Sequence, residues 1–588
     1  MGSRAERLAA TLPRTGDTAA KCRLGTRWQD AAGIDAGKGK VRGRGGGVSV
    51  RRRWPIAACV LAGLVLLCLF YGKASWRLAG DSDNATVLLE GLSLLHGNLI
   101  LHGWRLPQDV NWTIDAPAYA LVSLLRGVNP ADLHDAPALL MALAVGAAMW
   151  AAVDAARDWA AGIIGGGVAF AAVGLPTMHA VIPMPYYWLQ SPMHVGTAAF
   201  ALAGLVLLAR GVSAWDAARW QAWVGGVLLA LASANDPLEL VVAMFPATAL
   251  WAITSVRHRE DAQTWGRLAA FAVGAGVAGR LAVMATHALG GMDAPGLSAF
   301  TEAWATLGLQ GAKVLHGLLQ MWGANLFGIN LATKQGIAAT WHLLVLVALV
   351  WIVAAQVKRW WNGPADLLDT LLASGFAFDV AAYFVYASNP ADASTVRYLV
   401  PSTVFGAALL GRWAARQWAA AEAASTRRWL AGGAAVTLAS SAVLFAPWTK
   451  LPAVVPAQMP VVNFLEAHGL RHGLGEYWDS SIITLASGGK VMVRPVGPLP
   501  GGKVAPIEPM SQASWYSGSA NFVVWGGDAP NAADLATDER LLAAAFGAPQ
   551  HVYTVGIYRV GVWGENLIPK VDVTASASSQ PWFGYGIG

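Results

Sequence analysis

Two carboxylates follow the first apolar segment of the chain, within the stretch Gly80-Asp-Ser-Asp-Asn. Asp81 and Asp83 precede a run whose apolar residues recur with helical spacing and form a broad stripe. A carboxylate placed beside a hydroxyl group can remove its proton and so create a nucleophile. The stretch therefore predicts chemistry at a membrane surface, in front of a bundle of membrane spans.

Further polar residues could complete such a site. Arg397 and Tyr398 open a late apolar segment, and the planar guanidinium of an arginine can bind phosphate through two parallel hydrogen bonds. Four more residues are candidates for supporting the site from nearby positions, namely Glu90, Asp115, His102 and Asp236. The order of apolar stretches along the chain predicts that all of them lie on the same side of the membrane.

Each candidate also has an ordinary structural explanation. Either aspartate could cap the following helix, and Asp83 is well placed to do so. Arg397 could anchor a helix end at the interface, and Asp236, which precedes a proline, fits a turn. His102 lies six residues after His96, a poor spacing for two metal ligands on one helical face. The residue types alone leave these alternatives open.

Composition decides the class of protein. Of 588 residues, 55% are hydrophobic and only 13% are charged, which is too much apolar surface for a soluble globule. The chain is therefore predicted to be a mainly α, polytopic membrane protein. Its 41 basic and 35 acidic residues give a net charge of +6, but the excess lies in the N-terminal tail and between spans, so nucleic acid is a poor candidate partner.

About eleven apolar stretches approach the length of roughly 20 residues that crosses a bilayer. They follow a basic, Gly-rich stretch at 1–53, which is predicted to be a disordered cytoplasmic tail, and they define a transmembrane domain at 54–450. The stretches lie at 54–71, 138–156, 159–177, 192–210, 219–234, 238–255, 266–287, 336–357, 366–387, 397–415 and 428–447.

Basic residues predict the orientation. With the tail inside, alternate loops carry arginine or lysine, as cytoplasmic loops do, which supports an odd number of spans in the cytoplasmic membrane and an exterior C-terminal part. The exterior then receives the loop 73–136 with Asp81 and Asp83, the segment 288–335, which suits interfacial helices, and the loop 388–392. The basic loop residues are Arg157, Arg210, Arg219, Arg257, Arg259, Arg267, Lys358, Arg359, Arg412, Arg416, Arg427 and Arg428.

The part of the chain at 458–588 is different in kind. Short apolar runs at 490–494, 521–525 and 552–562 are bounded by Gly-Gly turns and predict strands. Helical patterns at 461–469 and 533–546 complete a small exterior α/β domain. Its roughly 130 residues are enough for a core without disulfides, and the three cysteines lie elsewhere, at Cys22, Cys59 and Cys68.

These features together resemble the GT-C superfamily of membrane glycosyltransferases. The likeness rests on the acidic loop after the first span and on four short motifs, and it spans residues 54 to about 570. Its nearest members are bacterial relatives of the family 39 protein mannosyltransferases and the aminoarabinose transferases. The motifs are Leu95-His-Gly-Asn98-Leu-Ile-Leu-His102-Gly-Trp104, Trp112-Thr-Ile-Asp115-Ala-Pro117-Ala-Tyr119, Arg397-Tyr398-Leu-Val-Pro401 and Gly475-Glu-Tyr-Trp478-Asp479.

The resemblance implies a reaction and roles for residues. It implies transfer of a sugar from a polyprenyl-phosphate donor to an envelope glycan, lipid or protein at the outer face of the membrane. Asp81 matches the active-site aspartate best, as base or as ligand of a divalent metal, and Asp83 matches second. Arg397 and Tyr398 correspond to the donor-phosphate site. The usual Asp-Glu pair of the family is Asp-Ser-Asp here, so which carboxylate acts stays open.

Two other classes of function compete with this interpretation. A transporter or flippase of lipid-linked sugars needs polar groups within its spans, and Asp369 and Asp379 do fall inside one predicted span. A non-catalytic envelope-assembly protein would use its exterior domain for partners and would not need Asp81. Most ionisable residues lie at the ends of the spans, which favours the enzyme modestly.

Overall fold

The described part of the chain is mostly helical. The computed structural model describes residues 50–177, 184–189, 194–296, 306–386, 393–508, 510–527, 529 and 531–577. The predicted tail up to residue 49 and the predicted loop 388–392 lie outside these ranges. From Val60 onward the chain forms one compact unit.

Helices lie at all eleven positions predicted for spans, and shorter helices lie between some of them. A π-helical segment, Leu240–Met244, runs directly into the ninth helix. In chain order the elements are α1 (Val50–Ser75), α2 (Ser82–Leu95), the short strand β1 (Trp104–Arg105), α3 (Asp115–Arg126), α4 (Asp132–Asp154), α5 (Trp159–Val173), α6 (Met184–Leu189), α7 (Val195–Ser213), α8 (Trp215–Asn235), α9 (Phe245–Arg257), α10 (Ala262–Ala288), α11 (Leu307–Met321), α12 (Lys334–Asn362), α13 (Leu367–Val385), α14 (Val400–Ala420) and α15 (Ala424–Thr449).

Eight helical segments in the described residues are long and apolar enough to cross a membrane. The other three at predicted span positions are α5, α8 and α14. Helix α5 has only 15 residues, and α8 contains the non-helical residue Ala218 near its start. Helix α14 carries two arginines in its second half. Length and composition alone therefore identify fewer spans than the predicted eleven.

Close approaches between glycines bring the helices of the bundle together. A Cβ atom added to Gly411 on α14 would lie 2.5 Å from the carbonyl oxygen of Gly165 on α5. Likewise, a Cβ atom on Gly225 of α8 would lie 2.6 Å from the carbonyl oxygen of Gly204 on α7. Small residues let the backbones of membrane helices approach closely. Within lipid the hydrophobic effect does not drive helices together, so van der Waals contacts stabilise their packing. These contacts bring α5 close to α14 and α7 close to α8.

The segments between α1 and α4 form a layer at one end of the bundle, which we call the loop end. Helix α2 packs on α3, and Asn235 at the end of α8 bonds the backbone before α3. Helix α11, inside the segment predicted as interfacial, packs on α13 and on the 3₁₀ turn Ala393–Leu399 that precedes α14. The loop end thus collects pieces of chain from widely separated positions.

The C-terminal region is a mixed α/β structure. Its elements are α16 (Met459–Ala467), β2 (His472–Gly475), α17 (Tyr477–Ala486), β3 (Met492–Leu499), β4 (Lys503–Pro506), β5 (Ser511–Gln512), β6 (Phe522–Trp525), α18 (Ala532–Phe546), β7 (His551–Val555) and β8 (Tyr558–Val562). Six strands form one sheet in the order β4-β3-β2-β6-β8-β7. Strand β2 is parallel to β3 and to β6, and the remaining neighbours are antiparallel. Apolar side chains of α16 and α17 cover one face of this sheet, and those of α18 cover the other.

The structure corrects two strand predictions. The strand predicted at 490–494 runs on to Leu499, because β4 pairs with its second half from Val496. The single strand predicted at 552–562 is a hairpin of β7 and β8, with Gly556 at a φ of +64° in the turn. Positive φ is readily adopted by glycine, which explains the tight reversal within an apolar run.

The C-terminal region is attached to the loop end by direct contacts. Helix α17 packs on α2. Strand β5 pairs with β1, with Trp104 opposite Gln512 and Arg105 opposite Ser511. The backbone N–H of Met510 donates to the carbonyl of Arg105 at 2.7 Å. The C-terminal region therefore covers part of the layer that carries Asp81 and Asp83.

A cluster of charges, which we call the Arg412 network, lies far along α14 from the loop end. Val400 and Arg412 are separated by 12 residues of α14, which is about 18 Å along a helix. Arg412 is 2% exposed and pairs with Asp154, Asp366 and Asp369 from α4 and the start of α13. Arg416 and Arg210 pair with the same carboxylates. Three cations and three carboxylates are thus matched.

The Arg412 network accounts for Asp369, an ionisable residue that the sequence analysis placed inside a predicted span. Asp369 pairs with Arg412 and Arg416 and sits one turn into α13, not at its middle. Asp379, the second such residue, accepts a hydrogen bond from the backbone N–H of Ser402 at 2.9 Å. Both carboxylates have partners within the helical bundle. Neither is left as a free polar group on a transport path.

Replacing Arg412 by methionine is expected to destabilise the protein strongly, because three carboxylates would lose the cation that compensates them. Removal of one partner from a buried ion pair costs about 3–5 kcal/mol. The apparent Tm of the purified protein in detergent should fall by roughly 5 °C or more. Arg428→Met, at an exposed position of α15, is the control. Equal Tm values for the two variants would contradict a structural role for the network.

Candidate functional site

Asp81 caps helix α2. Its Oδ1 atom accepts a hydrogen bond from the backbone N–H of Asn84 at 2.8 Å, and its backbone is extended. This satisfies one of the N–H groups that a helix start leaves unpaired. The structure therefore corrects the expectation that Asp83 is the better-placed cap. Asp81 is half-buried at the edge of the layer that holds the other candidates.

Asp83 faces the C-terminal region and an arginine. The hydroxyl of Tyr477, at the start of α17, donates a hydrogen bond to Asp83 Oδ1. Burial raises the pKa of the Asp83 carboxyl, while the Tyr477 hydrogen bond and the charge of Arg397 oppose this rise. Asp83 thus lies where α2, α17 and the segment before α14 meet. A raised pKa makes this carboxylate a better proton acceptor than an ordinary aspartate.

Arg397 and Tyr398 lie on the 3₁₀ turn that leads into α14. Burial lowers the pKa of the Arg397 guanidinium, but its neighbours Tyr398, Asp109 and Asp83 outweigh burial and raise that pKa. The Nε atom of Arg397 is buried and has no hydrogen-bond partner among the described residues. The arginine therefore stays charged and keeps a donor group unused.

Aromatic neighbours hold Tyr398 in place beside this arginine. The Tyr398 ring centroid lies 4.9 Å from that of His194 and 5.5 Å from that of Tyr386, which packs against it edge-on. The Arg397 guanidinium carbon lies 5.7 Å from the same ring. Burial raises the pKa of Tyr398 to about 12, so its hydroxyl remains a hydrogen-bond donor at neutral pH. The turn is thereby held between the start of α7 and the end of α13.

Asp109 joins this cluster, although no sequence pattern marks it. It is half-buried in the connection between β1 and α3. Burial raises the pKa of Asp109, with Asp236 acting in the same sense, whereas His194 and Arg397 act against the rise. Asp109 stands three residues before the Trp112-Thr-Ile-Asp115 motif, in a loop without periodicity. Only the folded loop brings Asp109 close to His194 before α7 and to Arg397 before α14.

Asp236 is more than the turn residue that its sequence suggests. Its Oδ2 atom lies 2.7 Å from Nδ1 of His194, and both side chains are buried. Its Oδ1 atom accepts a hydrogen bond from the backbone N–H of Leu238 at 2.9 Å, as a turn residue would. Burial alone would raise the pKa of Asp236, but His194 outweighs burial and lowers it. His194 fell within the predicted span 192–210 and was not identified from the sequence.

Asp115 and Glu90 form a deeper acidic layer. Asn235 Nδ2 donates to Asp115 Oδ2 at 2.5 Å, and Asn235 Oδ1 accepts from the backbone N–H of Ile114 at 3.0 Å. Both oxygens of Glu90 and the second oxygen of Asp115 have no partner among the described residues. Burial raises the pKa of both carboxyls well above the usual range, and the charge of Asp109 raises both pKa values further. Burial therefore favours the protonated form of both carboxyls.

His102 does not join the cluster. It is exposed, and its Nδ1 atom hydrogen-bonds the carbonyl oxygen of Gly290. Within the described ranges, no group of three or more His, Cys, Asp or Glu side chains is arranged to hold a metal ion. The suggested metal role of Asp81 thus has no preformed ligand set in this part of the chain.

The cluster combines groups that suit transfer from a phosphate. Arg397 offers a cation with an unused donor, and Asp83 and Asp109 offer carboxylates whose pKa values burial raises. The C-terminal region covers the site from one side through Tyr477. Fold and site together define a polytopic helical membrane protein with an acid and arginine cluster at one end of its helices.

The chain is similar in fold to two crystal structures of ArnT from Cupriavidus metallidurans. One, bound to undecaprenyl phosphate, matches with 12% identity and a TM-score of 0.47, over 89% of this chain and 99% of that one. The other, in the apo state, matches with 11% identity and a TM-score of 0.49, over 87% and 98%. No family model and no curated protein matches the chain.

Replacing Glu90 by glutamine is expected to stabilise the protein as pH rises. The raised pKa of Glu90 means that its contribution to stability is complete below the unfolded pKa, about 4.3, and is lost as pH rises through the folded pKa. Glutamine does not titrate, so the apparent Tm values of the two proteins should be similar near pH 4.5. They should then diverge, by about 1.4 kcal/mol per pH unit, in favour of the variant.

The measurement is the apparent Tm of the full-length protein in detergent between pH 4.5 and 8.5. Glu422→Gln, at an exposed position after α14, is the matched control and should leave the pH dependence unchanged. Parallel curves for wild type and Glu90→Gln would contradict the buried, uncompensated state of Glu90.

Proposed function

We propose that this protein is a GT-C-type glycosyltransferase. It takes a sugar from a polyprenyl-phosphate carrier at the outer face of the cytoplasmic membrane and passes it to an envelope glycan, lipid or protein. The observation that carries the proposal is the meeting of Arg397, with its unused Nε donor, and the carboxylates Asp83 and Asp109 at one end of the bundle. The motifs shared with that superfamily support the same reaction class.

Arg397 binds the phosphate of the donor. A guanidinium presents a planar fork of donors that matches phosphate oxygens, and its charge persists at any physiological pH. Arg397 lies just before α14, so a lipid carrier lying among the helices brings its phosphate to the level of this turn. Tyr398, fixed between His194 and Tyr386, orients the turn and offers its hydroxyl as a further donor.

Asp83 is the base, and Asp81 holds the helix on which it stands. The charge of Arg397 acts on Asp83, which also accepts a hydrogen bond from the Tyr477 hydroxyl. One oxygen of Asp81, in contrast, accepts the capping hydrogen bond from the backbone of α2. The acceptor hydroxyl gives its proton to Asp83 and its oxygen attacks the anomeric carbon of the donor sugar. The bond from that carbon to the phosphate oxygen breaks, and the electron pair leaves with the phosphate. Arg397 stabilises the negative charge that develops there.

Asp83→Asn is expected to lower transfer by about 10² to 10⁴, the usual contribution of a positioned base. Asp81→Asn should lower it by less than about threefold, because asparagine caps a helix as well as aspartate does. The measurement is transfer of radiolabelled sugar from membrane lipid to envelope material in cells that express each variant at equal level.

A strain without the protein provides the second control. Sugar-bearing products that are identical with and without the protein would refute the glycosyltransferase proposal. A fully active Asp83→Asn beside an inactive Asp81→Asn would instead exchange the roles of the two carboxylates.

Tyr477→Phe is expected to move the acid limb of the pH–rate profile to higher pH. The Tyr477 hydroxyl lowers the pKa of Asp83 against the rise caused by burial, so its removal raises that pKa further. Since the base acts only when deprotonated, half-maximal activity should be reached at a more alkaline pH, with little change on the alkaline side.

The profile is measured in membrane vesicles with initial rates from the lipid donor. Tyr553→Phe, on the distant strand β7, is the control and should reproduce the wild-type profile. An acid limb that stays in place in Tyr477→Phe would show that Asp83 is not the group whose ionisation limits the rate.

A further inference from the structure

A cavity lies in the C-terminal region, outside the acid and arginine cluster. Its volume is about 400 Å³, within the range of small-ligand sites. It opens where the parallel strands β2 and β3 begin, and the turn after β5 closes one side. His472, Arg494, Gln512, Trp515 and Ser517 are among its lining residues. The cavity is therefore polar, with one aromatic wall.

Arg494 brings an uncompensated positive charge to this cavity. Its single hydrogen bond among the described residues runs from Nη2 to the sulfur of Met492, at a long 3.4 Å. No carboxylate of the described chain forms an ion pair with it, whereas Arg105, close by in the fold, pairs with Glu508. Burial lowers the pKa of Arg494 to about 10, with only Tyr516 acting against it. The half-buried guanidinium thus has N–H donors but no ionic partner among the described residues.

The geometry of Arg494 is fixed by an aromatic ring. Its guanidinium carbon lies 4.3 Å from the ring centroid of Trp515, a cation–π contact. Trp515 is in turn held edge-on by Trp104, at 5.3 Å between centroids. The arginine is thus oriented before any ligand arrives, which lowers the entropic cost of binding. Its remaining N–H donors are available to an anion in the cavity.

The lining residues suit a sugar as well as an anion. Ser514, Ser517 and Ser519 are exposed at the cavity and offer hydroxyl groups, and Gln512 offers an amide. Hydroxyl and amide groups can donate and accept hydrogen bonds, which is what saccharide hydroxyls require. A bare inorganic anion would use Arg494 but would leave most of this polar wall without a role.

A short stretch of chain joins the cavity to the proposed reaction centre. Met510 Sδ lies 3.2 Å from the hydroxyl of Tyr477, which donates to Asp83. Gln512, two residues later, lines the cavity, and two residues of extended chain span at most about 7 Å. Met510 has a φ of +79°, an unfavourable conformation for a residue with a side chain. The surrounding contacts must therefore hold this connection firmly.

We propose that this cavity binds an anionic saccharide, as a subsite for the acceptor glycan. Arg494 pairs with the carboxylate or phosphate of the sugar unit, and the serine hydroxyls and Gln512 bind its hydroxyl groups. The role as acceptor subsite rests on the proposed glycosyltransferase function. Binding of the acidic saccharide itself does not depend on it.

The test is binding of a glucuronic-acid-terminated trisaccharide to the full-length protein in detergent, by calorimetry. The matched neutral probe is the same trisaccharide ending in glucose. Wild type should bind the acidic probe at least about tenfold more tightly than the neutral one, the ratio expected for a charge-assisted hydrogen bond. Arg494→Gln should remove this preference. Arg471→Gln, at an exposed position next to His472 but outside the cavity lining, should keep it.

Thermal stability separates a binding role from a structural one. Arg494→Gln should have an apparent Tm at or above that of wild type, since it removes a half-buried charge without an ionic partner. A lower Tm together with unchanged binding would show that Arg494 only packs against Trp515, and the proposal would fall. Equal affinity for the acidic and neutral probes in wild type would also overturn it.

Two further measurements identify the ligand and distinguish the saccharide subsite from the glycosyltransferase function. Inorganic phosphate that displaces the acidic trisaccharide at equal concentration would overturn the saccharide and leave a simple anion site. Asp83→Asn should bind the acidic probe as wild type does while it loses transfer. If wild type binds the probe but no strain shows protein-dependent transfer, the subsite stands and the glycosyltransferase function fails. If transfer is present and no binding is seen, the subsite fails alone.

Discussion

The charge of Arg397 is the interaction on which the candidate site depends. Carboxylates from α2 and from the connection before α3 come together at the loop end, far apart in sequence but close enough for Arg397 to affect the pKa of each. Without a cation, burial would drive both carboxyls toward the neutral form. Arg397 opposes this effect on both carboxyls. It stands on the turn that the aromatic rings of His194 and Tyr386 hold through Tyr398.

Three arginines of this chain show how pairing distinguishes support from binding. Arg412 is buried and pairs with three carboxylates, so its N–H donors are bonded within the protein. Arg397 keeps a buried Nε donor unused, and Arg494 has no carboxylate partner among the described residues. An arginine whose donors are all paired fixes helices in place, whereas one with a donor that has no partner can still bind a ligand.

Sequence could predict the fold further than the site. Apolar stretches of the sequence locate all eleven helices, although only eight helical segments of the described residues are long and apolar enough to cross a membrane. They cannot show that α8 is interrupted at Ala218, since that break depends on local packing. Asp83 and Arg397 could be predicted because each stands beside an element boundary, whereas Asp109 lies in a loop without periodicity and His194 lies inside an apolar stretch. Pairing over long sequence separations is a tertiary property, so those two residues have no local signal.

The deeper acidic layer, formed by Glu90 and Asp115, differs in its electrostatics from the cluster around Arg397. Asp83 and Glu90 are seven residues apart on α2, so both lie on one face, about 10 Å apart along the axis. Both oxygens of Glu90 and one oxygen of Asp115 have no hydrogen-bond partner among the described residues, and burial raises the pKa of both carboxyls. Asp115 and Asp109 raise the pKa of Glu90 further, so a negative charge on either aspartate favours the protonated form of Glu90. Arg397 acts in the opposite sense on Asp83 and Asp109, where its charge opposes the rise in pKa that burial causes. One cation thus favours the ionised form of two carboxyls, next to a layer in which burial favours the protonated form.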